Sequence, residues 1–179
     1  MSTLKVSTIS PLGTDATKTI TIGSAGDTAA GVFTNTPAFK VDKSSDQSIT
    51  AETWTKVTFT NEYYDTDSAF TDSRFTVPTN EGGTYTFSTM LRCTATNGTA
   101  EMFSLAFYKS GNRESITNQI QTADNQLKNS HICASATFNL SAGQYIEVYA
   151  NINGTSPVIG GSGTQSIASF FTGYRLIGA

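Results

Sequence analysis

The 179-residue chain reads as an all-β sandwich. Short runs alternate apolar with other residues, as in Phe75-Thr76-Val77, Tyr85-Thr86-Phe87 and Phe103-Ser104-Leu105-Ala106-Phe107, which is the period of a half-buried strand. Gly, Asn, Ser and Pro cluster between these runs and mark turns. No stretch keeps apolar residues at helical spacing.

Composition narrows the function classes. The chain is 37% hydrophobic and 14% charged, so it can bury a core beneath a mostly uncharged polar surface. A net charge of −3 argues against a nucleic-acid surface. No apolar run approaches a membrane span. Met1 to Pro11 lacks the basic-then-apolar pattern of a secretory leader. The expectation is a chain assembled in a cytosol, or one whose leader was trimmed.

Residues 1–35 differ in character from the rest of the chain. Leu4, Val6 and Ile9, then Ile20 and Ile22, mark strand-like pieces punctuated by Gly13-Thr14-Asp15 and Gly23-Ser24-Ala25-Gly26-Asp27. Each piece is too short to be stable alone. The segment therefore reads as an anchoring arm or stem that pairs with its own copies or docks on another protein; the plain alternative is an unstructured terminus.

Residues 36–179 form the main domain. Phe39 and Val41 share one strand face, and Thr55, Val57 and Phe59 share another, with Trp54 packing in the core or on a sheet face. Asp42 to Ser48 reads as a polar turn. Tyr63-Tyr64-Asp65, a polar turn, the Phe75/Val77 strand ended by Pro78, the Glu81-Gly82-Gly83 turn and the Tyr85/Phe87 strand come next. Asn97-Gly98 predicts a hairpin between a strand ending near Thr96 and a strand over Glu101 to Lys109. Ser110-Gly111-Asn112 is a further turn. Arg113 to Ser130 reads as an extended loop plus an exposed strand. Ala136 to Leu140, Ser141 to Gln144 and Tyr145 to Ala150 predict a second hairpin, and a Gly-rich loop over Asn151 to Ser166 precedes the closing strand from Ser169 to Ile177.

The order of these pieces resembles the complement C1q/tumour-necrosis-factor-like superfamily. Pro37-Ala38-Phe39-Lys40-Val41 is similar to its P-A-F-x-V opening. Tyr63 to Phe87 is similar to its Y-D turn, strand, P-x-x-G-x-Y turn and strand. The segment around Phe138 to Val148 is similar to its L-x-L-x-x-G-D-x-V-x-L element, with Gln144 where the family usually has Asp. Ser169-Phe170-Phe171-Thr172-Gly173-Tyr174 is similar to its closing S-T-F-S-G-F strand. The resemblance implies a ten-stranded jelly-roll sandwich, with the N-terminal piece as a short β arm or stem, and a homotrimer. The wording M-S-T-L-K-V-S-T-I with T-I-T-I-G-S-A-G-D-T resembles the N-terminal parts of virion proteins of tailed bacteriophages.

The trimer has a physical hint of its own. The strand over 101–109 and the closing strand are apolar or small on both faces, and a second buried face at a three-fold axis satisfies both; the plain alternative is a thick core in a monomer. Tyr85, Phe87, Phe103, Phe107, Tyr145, Tyr149, Phe170, Phe171, Tyr174 and Leu176 are the residues to be divided between core and axis.

For catalysis the sequence offers little. His131 is the only histidine, and it shares a strand face with Cys133. No Ser-nucleophile elbow, phosphate loop, zinc-protease helix or C-x-x-C occurs, so no enzyme is expected. Cys93 and Cys133 read as two small buried hydrophobes, with a disulfide as the alternative. Glu62, Asp65, Asp67 and Asp72 are candidate calcium ligands by charge density, against the plainer reading of a solvated turn in which Asp65 fixes the backbone. No other cofactor is expected.

The functional expectation is a homotrimeric virion structural protein: a capsid decoration, head fibre or tail-fibre tip, docked on capsid or tail proteins through residues 1–35. The alternatives are an adhesin head that binds a host glycan or receptor, through the Asn112–Ser130 and Asn151–Ser166 loops or through Tyr63 and Tyr64, and more remotely a secreted cytokine-like ligand.

Overall fold

The computed structural model describes residues 37–96, 100–114, 118–122, 127–162 and 169–177. In chain order the strand segments are β1 (Ala38–Asp42), β2 (Gln47–Ser48), β3 (Thr55–Lys56), β4 (Asn61–Asp65), β5 (Phe70–Thr71), β6 (Arg74–Thr76), β7 (Gly83–Thr94), β8 (Met102–Lys109), β9 (Asn112–Arg113), β10 (Asn118–Gln121), β11 (Asn129–Leu140), β12 (Tyr145–Asn153), β13 (Val158–Gly160) and β14 (Phe170–Arg175). Among the described residues, ten of these span three residues or more.

All pairings are antiparallel and fall into two sheets. The first runs β2-β13-β7-β14-β1-β4, with β11 along the other side of β7. The second runs β10-β8-β12-β6-β5, with β3 also beside β12 and β9 beside β8. The core lies between them. Phe39, Phe87 and Phe171 from the first sheet meet Phe75 and Phe107 from the second with no exposed surface. Ring centroids are 5.1 Å apart for Phe39–Phe75 and 6.4 Å for Phe87–Phe107. Each such side chain contributes roughly 1.5–3 kcal/mol by leaving water. The all-β two-sheet sandwich follows from the alternation that the sequence shows.

Two predicted hairpins are corrected. β7 belongs to the first sheet and β8 to the second, so the connection through Asn97-Gly98, itself outside the described residues, crosses between sheets. β11 pairs with β7 while β12 pairs with β8. The turn at Ser141–Gln144, held by Gln144 N–H on the Ser141 carbonyl at 3.0 Å, is therefore also a corner between sheets. The tight two-residue hairpins are elsewhere. β5 and β6 turn on Asp72 and Ser73, with φ of 50° and 57°, and β8 and β9 turn on Ser110 and Gly111, with φ of 48° and 82°. Two left-handed central residues match the twist of a hairpin.

A third correction concerns β8. Its apolarity on both sides pointed to a trimer axis, yet Ser104 and Ala106, which face away from the core, are fully buried within the single chain. The chain covers that face itself. Ser104 meets Gln119 of β10. Trp54, Tyr108 and Tyr149 form an aromatic row on the same outward side, with Tyr108 and Tyr149 stacked at 3.8 Å and Arg113 over Trp54 at 5.1 Å.

Candidate functional site

The segment from Lys56 to Asn61 leaves the second sheet at β3 and enters the first at β4. It crosses the open end of the sandwich, because β4 and β5 are end strands of their sheets. Ser73 ties this crossing to the β5–β6 hairpin: its Oγ accepts the Phe59 N–H at 2.8 Å and donates to the Phe59 carbonyl at 3.3 Å. Lys43 ties it to β1. Lys43 is 2% exposed, and its Nζ donates to the Thr58 carbonyl and to Thr58 Oγ1 at 2.9 and 2.8 Å. Burial pushes the Lys43 amine below its ordinary value, partly offset by Asp46. Asp42 to Ser48 thus contributes more than a polar turn; nothing in a run of polar residues marks one lysine as buried.

Between the crossing and the hairpin lies an open cleft of about 590 Å³. Val41, Phe59 and Phe70 supply its apolar lining, and Lys56, Thr58, Thr60, Asn61, Glu62, Thr71, Asp72 and Ser73 its polar lining. Several of these polar groups are already engaged. Lys56 pairs with Glu147 at 2.7 Å, Thr58 holds Lys43 and Gln47, and Thr60 meets Ser44 at 2.7 Å. The side chains of Asn61, Glu62, Thr71 and Asp72 are exposed and make no bond among the described residues.

The four carboxylates suggested as calcium ligands are therefore dispersed. Asp65 accepts the N–H groups of Ala69 and Phe70 at 3.0 and 2.8 Å, bracing the link from β4 to β5. Asp67 accepts from Thr66 at 2.7 Å. Only Glu62 and Asp72 share the cleft. Among the described residues no group of three or more His, Cys, Asp or Glu side chains converges as a metal site.

The ten aromatic and apolar residues offered for core or axis separate cleanly. Tyr85, Phe87, Phe103, Phe107 and Phe171 are in the core of the single chain. The Tyr85 hydroxyl donates to the Glu81 carbonyl, and burial pushes its phenol up to about 12, an effect that Arg175 opposes and Glu81 reinforces. Tyr145 and Tyr149 are half-buried on the outward side of the second sheet, Tyr145 beneath Arg74. Phe170 and Leu176 are half-buried and Tyr174 is 40% exposed. Leu4, Val6, Ile9, Ile20 and Ile22 lie outside the described residues.

Phe170 belongs to an ordered outward grid on the first sheet. Register aligns Phe170 with Met90 and Met90 with Cys133, then Thr172 with Ser88 and Ser88 with Ser135, then Tyr174 with Thr86 and Thr86 with Thr137. Hydroxyls bridge the strands, Ser88 to Ser135 at 3.1 Å and Thr86 to Thr137 at 3.0 Å. Shallow depressions beside the Phe170–Met90 row are lined by Lys40 and Thr172 on one side and by Cys133 and Ser135 on the other. Cys133 is exposed and not the buried hydrophobe expected, whereas Cys93 is buried, with its thiol pushed up to about 12 by burial; both are free. His131 is exposed on the same outward side as Cys133. On β4, Tyr63 and Tyr64 are 50% and 47% exposed. Tyr63 is held, its hydroxyl on Asp42 at 3.0 Å and its ring under Lys40 at 5.0 Å.

Among solved structures, the globular domain of zebrafish complement 1qA protein matches 78% of this chain and 97% of its own, at 15% identity and a TM-score of 0.52. The fold is that of the C1q/TNF-like jelly rolls. Eiger TNF from S. frugiperda matches 79% of this chain and 93% of its own, at 13% identity and a TM-score of 0.55. No protein-family model and no curated protein matches the chain. Among the described residues no helix is long and apolar enough to cross a membrane.

Proposed function

We propose that the protein is a homotrimeric virion structural protein, a capsid decoration, head fibre or tail-fibre tip, with residues 1–35 docking on capsid or tail proteins and the jelly roll as the projecting head. The observation that carries the reading is the outward grid of the first sheet on a C1q/TNF-like jelly roll. A carpet of Ser and Thr, bounded by the half-buried Phe170–Met90 row and by Tyr174, lets a second backbone approach closely and gives it apolar surface to bury. The N-terminal resemblance to tailed-phage virion proteins supplies the setting, and the alternating Leu4, Val6, Ile20 and Ile22 supply a means of strand addition.

The test uses two proteins. The full chain is expected to sediment at three times its 19.0 kDa mass. Removal of residues 1–33 is expected to leave a soluble trimer that no longer joins particles. Particle binding retained after that deletion would refute the docking role, and a monomeric head would refute the trimer.

A further inference from the structure

We infer that the cleft at the open end of the sandwich is a binding site for a neutral or amino-bearing saccharide. The site is defined by the cleft alone.

The unengaged groups define the ligand. The carboxylates of Glu62 and Asp72 offer acceptor oxygens, so the ligand must bring donors. Two carboxylates on one cleft repel a phosphate, sulfate or sialic acid. Lys56, the cation on the wall, is already paired with Glu147. Asn61 and Thr71 both donate and accept, which suits hydroxyl groups that do the same. Phe70 is half-buried, stacked on Phe39 at 4.9 Å, and lines the cleft. Its ring suits the C–H face of a sugar, because the negative face of an aromatic attracts positively polarised hydrogens. The volume of about 590 Å³ falls within the range of small-ligand sites. A neutral or amino sugar ring is donor-rich, uncharged or cationic, and apolar on one face, and so meets each of these demands.

The cleft is also held in shape without its ligand. Ser73 and Lys43 fix the crossing segment on both sides, and the Thr71 to Asp72 rim is carried by a two-residue hairpin. Preorganised polar groups lose less on binding than groups that must be ordered.

The experiment screens the full-length protein on an array of neutral, amino and sialylated oligosaccharides, then measures the best binder by calorimetry for the wild type, Glu62→Gln, Asp72→Asn and the distant control Glu114→Gln. Asn tolerates the left-handed backbone of position 72, and thermal melts check that each variant folds. Neutral or amino sugars are expected to bind. Loss of either cleft carboxylate is expected to weaken binding about tenfold, as removal of a charge-assisted hydrogen bond does, with the control unchanged. Absence of saccharide binding at millimolar concentration or a preference for sialylated sugars would overturn the inference. Sugar binding untouched by either variant would overturn the cleft assignment while leaving an adhesive role elsewhere on the head.

Discussion

At the scale of single residues, two positions show how tightly this core is specified. Gly173 faces inward on β14, and a Cβ there would overlap the Phe87 ring and lie 2.9 Å from the Phe39 ring. Both rings are locked among other aromatics, so Gly173→Ala is expected to cost about 1–3 kcal/mol by overpacking, read as a lower denaturant midpoint at unchanged slope. Cys93 makes stability depend on pH. Its folded thiol stands at about 12 against an ordinary 9.0, so between those values the unfolded chain loses a proton that the folded chain keeps. The folded state then binds more protons, and stability falls as pH rises from about 9 towards 12. Tyr85 adds to the decline between about 10 and 12. Denaturation curves along that range are expected to show a shallower decline in Cys93→Ala and in Tyr85→Phe; an unchanged decline in both variants would contradict this origin.

At the scale of elements, one hydroxyl ties the crossing from β3 to β4 to the β5–β6 hairpin. Ser73→Ala leaves the Phe59 N–H buried without its acceptor, at a cost of about 1–3 kcal/mol. The expected signature is local: rapid amide exchange at Phe59, with the β7–β11 ladder still protected. Element identity was legible in the sequence because alternation is a local signal, and Phe39, Val41, Phe75, Tyr85 and Phe87 all face the core as their spacing requires. Connectivity was less legible. Asn97-Gly98 and Ser141–Gln144 announce a change of direction, but a turn does not say whether the next strand joins the same sheet or the facing one. That choice is made by non-local pairing, β7 with β11 and β8 with β12. The cleft was half legible. Glu62 and Asp72 drew notice as charge, but their separation from Asp65 depends on where two backbone amides lie, and the burial of Lys43 depends on Thr58, fifteen residues away. Neither relation has a local pattern.

At the scale of the whole molecule, the two faces of β14 make opposite forecasts. Phe171 points into the core with no exposure, and its loss is expected to unfold the head. Phe170, its neighbour, lies half-buried on the outward grid beside Met90. If copies meet on that grid, Phe170→Glu removes an aromatic from the seam and puts three like charges there, each beside the Lys40 of its own chain, and leaves the inside of each sandwich untouched. Loss of one interface aromatic and desolvation of a charge together exceed about 2 kcal/mol per site, enough to separate the chains at micromolar concentration. The variant is expected to sediment near 19.0 kDa with a wild-type far-ultraviolet spectrum and a cooperative melt. Tyr145→Glu, on the outward side of the second sheet, is the matched control and is expected to remain trimeric. A trimer that survives Phe170→Glu but not Tyr145→Glu would move the interface to the other sheet.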